Sequence, residues 1–384
     1  MKPALVLSAV AVVLVVVLLL AAYETTPQPQ VADNISDGRS WPRSIVINPG
    51  SDLIYVDSVS GFYPPVGYSF EEINGSSGEI VNSVPFPGIP GEMAIDEASN
   101  VVYALGSNAS SNSIFVYSGA LGNFERNITV SAPAYNIAFD AALNRLFVST
   151  QYGLIAVNAS SGSTISSVRL GSFSEGMAID QNSDVVYVAN HLSASISAVS
   201  ATNLTVMKTI QLPNSSYPSD LALDASTGVL YSTTDQNYVV AINTNTYSER
   251  TIQIAPSTSN ETFSIAFDQE NNIVYVPTEP GRVISEIVAS SGNIVSTFKL
   301  GYGAYEMSVD QANGNLYVTN YHQITLITPG SRGDSYDFVG AATVVVIVGV
   351  ATVALRTKRK SSVMSNRQSK ALEPDELACS QPPS

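Results

Sequence analysis

Cysteine is nearly absent. The 384-residue chain has one, Cys379, close to its carboxyl end. No disulfide can form within the chain, so its fold relies on packing alone. Charge is also scarce, at 13% of residues, and one sign dominates: 17 Lys and Arg against 32 Asp and Glu, a formal net charge of −15. So acidic a surface argues against nucleic acid as a partner. Two histidines, His191 and His322, and a single tryptophan, Trp41, complete the shortages. With so few His and Cys, a haem or copper centre lacks its usual ligands. No Gly-x-Ser-x-Gly nucleophile motif, Gly-rich phosphate loop or metal-ligand spacing occurs. Disorder by composition is excluded for the body of the chain, because 45% of residues are hydrophobic.

Two long apolar runs bracket that body. Residues 4–22 are apolar or small and follow Lys2. The length suits either a cleaved signal peptide or a signal-anchor helix over residues 1–23. Residues 338–355 form the second run, and Arg356, Lys358, Arg359 and Lys360 follow it. That is the pattern of a transmembrane helix whose basic tail, 356–384, stays disordered in the cytoplasm. Residues 24–40 then read as a linker, 41–329 as the folded body and 330–337 as a stalk. The expected location is the cell membrane, with the body outside it. Between the runs, residues 24–337 hold ten basic and 29 acidic residues, a net charge of about −19.

The body is a repeat. In its clearest copy Met177-Ala178-Ile179-Asp180 is followed, after a short turn, by Val185-Val186-Tyr187-Val188-Ala189-Asn190. The anchor residue recurs as Asn48, Asp96, Asp140, Asp180, Asp224, Asp268 and Asp310. An aromatic residue stands seven positions after each: Tyr55, Tyr103, Phe147, Tyr187, Tyr231, Tyr275 and Tyr317. Spacings of 40 to 48 residues point to a propeller or a helical array. Before each anchor, bulky and small residues alternate with period two, as in Met93-Ala94-Ile95, which predicts a strand. Four positions after each anchor stands Asp52, Asn100, Asn144, Asp184, Gly228, Asn272 or Gly314, all types that tolerate a left-handed backbone. Each copy is therefore a small antiparallel sheet that must stack on its neighbours. The predicted fold is all-β, a seven-bladed β-propeller. The seventh copy has no visible fourth strand, and residues 31–35 are expected to supply it, because an unpaired edge invites aggregation.

The segments Tyr187-Val188-Ala189-Asn190 and Tyr317-Val318-Thr319-Asn320 resemble the YVTN-repeat β-propellers, over the whole repeat region. That resemblance implies seven blades and an extracytoplasmic setting, as in bacterial periplasmic and archaeal surface proteins. It does not imply one activity.

In a propeller, the loop entering each innermost strand rims the central channel. The residue four before each anchor should lie there: Ser44, Glu92, Asn136, Gly176, Asp220, Ser264 and Glu306, with Glu175 beside them. His191 and His322 fall in loops expected on the same face. Glu92, Asn136, Glu175, Asp220, Glu306, His191 and His322 are thus the candidate ligand or metal residues. No catalytic residue and no cofactor is expected, although such a rim could hold a divalent cation. The plain alternative is that strand-entry loops are polar because they meet water. The expected function is a membrane-anchored binding or structural module for an extracytoplasmic protein, glycan or envelope polymer. The alternative is a metal-dependent hydrolase or lyase of lactonase type. Catalysis is an open question, with the balance against it. Sequons at Asn34, Asn74, Asn108, Asn127, Asn158, Asn203, Asn214 and Asn260 offer N-glycosylation sites if the body is exported.

Overall fold

Each anchor side chain closes the turn that follows it. Oδ1 accepts a turn amide at Asn48 (from Gly50, 3.1 Å), Asp96 (Ser99, 3.3 Å), Asp140 (Leu143, 3.0 Å), Asp180 (Asn182, 3.1 Å), Asp224 (Ser226, 3.0 Å), Asp268 (Asn271, 2.9 Å) and Asp310 (Ala312, 2.9 Å). The residue four positions on adopts positive φ in all seven copies, between 50° and 73°. That is why only Asp, Asn and Gly stand there. The seven aromatic residues are all buried.

The computed structural model describes residues 30–35, 40–61, 67–108, 111–254, 264–278 and 282–329. Its strands run from β1 (Gln30–Ile35) to β28 (Gln323–Thr328) and make seven four-stranded antiparallel sheets. The innermost strands, one per sheet, are β2 (Ser40–Asn48), β6 (Ile89–Asp96), β10 (Ala134–Asp140), β14 (Ser174–Asp180), β18 (Pro218–Asp224), β22 (Ala266–Asp268) and β26 (Ala304–Asp310). Each touches the next, and β26 touches β2, so the ring is closed around an axis. This is a seven-bladed β-propeller. The core lies between the blades. Tyr103, Ile114 and Val116 of the second sheet, for example, pack on Ile137, Leu146 and Val148 of the third.

The seventh sheet has the order β1, β28, β27 (Asn315–Asn320), β26. The amino-terminal strand is thus the outer strand of the carboxyl-terminal blade. Ile35 of β1 is buried among Ile45, Ile54 and Ile73 of the first sheet and Tyr317 and Ile324 of the seventh. Asn34 Oδ1 accepts hydrogen bonds from Gln323 Nε2 (2.7 Å) and Thr325 Oγ1 (3.0 Å).

Among the described residues no helix is long and apolar enough to cross a membrane. The expected spans at 1–23 and 338–355, the stalk, the tail and Asn260 lie outside the described residues. Of the other sequons, Asn34, Asn108, Asn127, Asn203 and Asn214 are exposed. Asn74 and Asn158 are half-buried, and their side-chain oxygens accept turn amides from Ser77 and Ser161.

Asp224 has the fullest turn. Besides the Ser226 and Thr227 amides it accepts both hydroxyls. Burial raises its pKa, but these hydrogen bonds outweigh that and hold it below the ordinary value. Asp224→Ala is expected to cost about 2 kcal/mol at neutral pH, read from a denaturant midpoint. Because the folded pKa is depressed, that contribution is present above the unfolded pKa and fades in acid. A cost that stays the same at low pH would contradict this account.

Candidate functional site: the mouth of the central channel

Side chains of a strand alternate between faces, yet three successive residues line the channel in four of the blades and two in the other three. A register slip explains it. Pairing shifts between Pro42 and Ile45, Pro90 and Met93, Ala134 and Asn136, Ser174 and Met177, Pro218 and Leu221, and Ala304 and Met307. Such bulges add an unpaired residue and re-aim its neighbours. The result is a cavity of about 520 Å³ lined in tiers. The first tier along the strands includes Arg43, Tyr135, Glu175 and Tyr305. The second is Ser44, Glu92, Asn136, Gly176, Asp220, Ser264 and Glu306, all seven residues that stand four before an anchor. The third is apolar: Met93, Ile137, Met177, Ile265 and Met307.

The bulge turns the second-tier amide toward the neighbouring strand, where four blades offer it a short polar side chain. Ser44 N–H donates to Asp57 Oδ1, Asn136 N–H to Ser149 Oγ, Asp220 N–H to Thr233 Oγ1 and Glu306 N–H to Thr319 Oγ1, each at 3.0 Å. The acceptor stands nine positions after the anchor in every case. Ser149 and Thr319 then donate to the Glu175 and Arg43 carbonyls of the following blade, both at 2.8 Å. These hydroxyls join strands and blades at one point.

Two second-tier carboxylates also bridge blades. Asp220 accepts its neighbour's amide (Leu221, 2.8 Å) and that of Ile265 in the next blade (3.2 Å). Glu306 Oε2 accepts the Ile45 amide at 3.1 Å. Burial pushes Asp220 up to about 7; its backbone hydrogen bonds pull against that, while Glu92 and Glu175 add to it. Glu92 and Glu306 meet across the first blade in a shared hydrogen bond. Burial raises both, and for Glu306 the charge of Glu92 raises it further. Two touching carboxyl groups share a proton because both ionising together is costly. The Ser44 hydroxyl donates to Glu92 Oε2 at 3.5 Å. Behind it, Asp57 is fully buried and its Oδ2 has no partner among the described residues; burial holds it well above the usual carboxylate range.

Gly176 is small for a geometric reason. A Cβ there would stand 2.6 Å from Asp220 Cα and 2.6 Å from the Ser219 carbonyl oxygen of the next blade. Gly176→Ala is therefore expected to destabilise by about 1–3 kcal/mol and to displace Asp220. A thermal melt matching that of the unaltered chain would refute the close approach.

The histidines part company. His191 Nδ1 lies 3.5 Å from Glu175 Oε2 and 3.0 Å from the Pro218 carbonyl oxygen, at the edge of the cavity. His322 stands against Tyr302 and Tyr321. Those tyrosines continue into an aromatic cluster with Trp41 and Tyr305, in which Trp41 stacks on Tyr321 at 4.8 Å. Of the two histidines assigned to a mixed site from sequence, His191 contacts a lining carboxylate, and neither is among the residues lining the cavity. Sequence reasoning missed Arg43, Tyr135 and Tyr305 in the wall. Each stands five before an anchor, a position that a regular strand turns away from the one beside it.

Among the described residues, no group of three or more His, Cys, Asp and Glu side chains is placed to hold a metal ion. Two of the carboxylates, Asp220 and Glu306, are engaged with backbone amides. A scan against protein-family models finds no match for the chain, and a search of curated proteins finds no match either.

Proposed function

We propose that the chain is a membrane-anchored extracytoplasmic binding module whose ligand enters at the channel mouth. The observation that carries this is the tiered cavity of about 520 Å³, a size suited to a small ligand or the tip of a larger one. Its wall is polar where ligands arrive and apolar below. The propeller supplies a rigid frame, and the bulges direct side chains inward from every inner strand described in full. Export is supported by the two apolar runs in the sequence and the basic residues after the second. The ligand is an extracytoplasmic protein, glycan or envelope polymer.

The test is hydrogen exchange of the purified full chain with and without native envelope material. Binding is expected to slow exchange in the inner-strand segments 42–45, 90–93, 174–177, 218–221 and 304–307. Protection confined to the outer strands, or none, would refute the mouth as the site. Protease treatment of intact cells should cleave the propeller; a propeller left whole until the cells are lysed would overturn its external location.

A further inference from the structure

We propose that the channel mouth is a receptor for a linear aliphatic diammonium ion, a free diamine or polyamine, held with one ammonium group at each of two acidic poles. The inference rests on the reading of the mouth as a ligand site and names the ligand class.

The poles follow from blade order. Glu92 and Glu306 belong to the second and seventh blades and meet across the first. Glu175 and Asp220 belong to the fourth and fifth. In a ring of seven, the first blade faces the gap between the fourth and fifth. The two pairs therefore oppose each other across the axis. The third and sixth blades, between them, contribute the neutral Asn136 and Ser264. A metal ion finds no group of three His, Cys, Asp or Glu ligands among the described residues and so cannot satisfy both pairs. Two charges joined by an alkyl chain can, and the apolar third tier of Met93, Met177 and Met307 suits that chain.

A second observation points to a missing guest. Ser264 lines the cavity, is 3% exposed, and its Oγ has no hydrogen-bond partner among the described residues. Buried hydroxyls are normally satisfied. Glu92, Asp220 and Glu306 likewise have no ion-pair partner among the described residues. Glu175 has His191 Nδ1 at 3.5 Å, and Arg43 stands on the first tier near Glu92. The acidic surroundings, about −19 over residues 24–337, would concentrate such cations at the opening.

The experiment is calorimetric titration of the full chain with 1,4-diaminobutane, spermidine, butylamine, 1,4-butanediol and CaCl₂ at matched ionic strength. The expected result is saturable binding of one diamine per chain, at least tenfold weaker binding of butylamine, and none of the diol. Glu92→Gln and Glu175→Gln should each weaken the diamine at least tenfold. These two take one carboxylate from each pair. Exposed Glu270→Gln should change nothing. Butylamine binding as well as the diamine, an equal loss in Glu270→Gln, or calcium binding one-to-one more tightly than the diamine would each overturn the proposal. Diamine silence while envelope material still protects the inner strands removes the diammonium assignment and leaves the mouth as a binding site. Silence together with no protection removes both.

Discussion

Deleting residues 30–35 is expected to lower the unfolding midpoint by at least as much as Ile35→Ala, about 3 kcal/mol or on the order of 5–10 °C. Two losses combine. Ile35 is 8% exposed and sits in the seam between the first and seventh blades, so its removal opens a cavity beside Ile45, Ile54, Tyr317 and Ile324. The strand also covers the edge of β28, and without it the amides and carbonyls of Thr325, Ile327 and their neighbours are left for another chain to pair with. The deleted chain should therefore associate at high concentration as well as melt early. A synthetic peptide of residues 28–37 added in trans should restore part of the midpoint by strand addition. An unchanged midpoint, measured by circular dichroism, would mean that the ring does not depend on β1 for closure.

The fold was legible because its turns are chemical. An Asp or Asn that accepts turn amides, a residue able to hold positive φ four positions on, and a buried aromatic three after that repeat in phase seven times. Each is a local requirement, so each leaves a local trace. The second tier was also legible, since it stands at a fixed distance before the anchor. The third tier was not, nor was the first apart from Glu175. A regular strand would turn residues three and five before the anchor to one face and the residue between them to the other, and in four blades the bulge brings all three to the axis. Nothing in Tyr305-Glu306-Met307 announces that bulge by itself. Its trace lies on the neighbouring strand, in the polar Asp57, Ser149, Thr233 and Thr319 that accept the re-aimed amides. Leu105, Ala189 and Pro277 at the same position in other blades obscure the pattern.

The unaltered propeller should be more stable near pH 5 than near pH 8, the opposite of a protein held together by ionised carboxylates. Asp220 titrates at about 7 in the folded chain against 3.8 as an ordinary aspartate. Burial likewise raises Glu92, and raises Glu306 and Asp57 well above their ordinary values. The folded state therefore holds protons that the unfolded chain has released, and stability falls as pH rises between the two pKa values. The stabilising contribution is complete below about 4 and, for Asp220, is lost by about 7. For Glu306 and Asp57 the decline continues above that. One pKa unit is about 1.4 kcal/mol, and channel water screens part of it, so Asp220 alone should contribute on the order of 2 kcal/mol to the difference. Glu306→Gln separates this effect from the general repulsion of an acidic surface. A glutamine can still accept the Ile45 amide and donate to Glu92, and it has no proton to lose. The variant should lose less stability between pH 5 and pH 8 than the unaltered chain and should be the more stable of the two at pH 8. Glu270→Gln changes net charge equally at an exposed site and should leave the slope as it was. A midpoint that rises from pH 5 to pH 8, or a slope that Glu306→Gln fails to flatten, would mean that the channel carboxyls are ionised in the folded protein and that its wall is held by charge, not by shared protons.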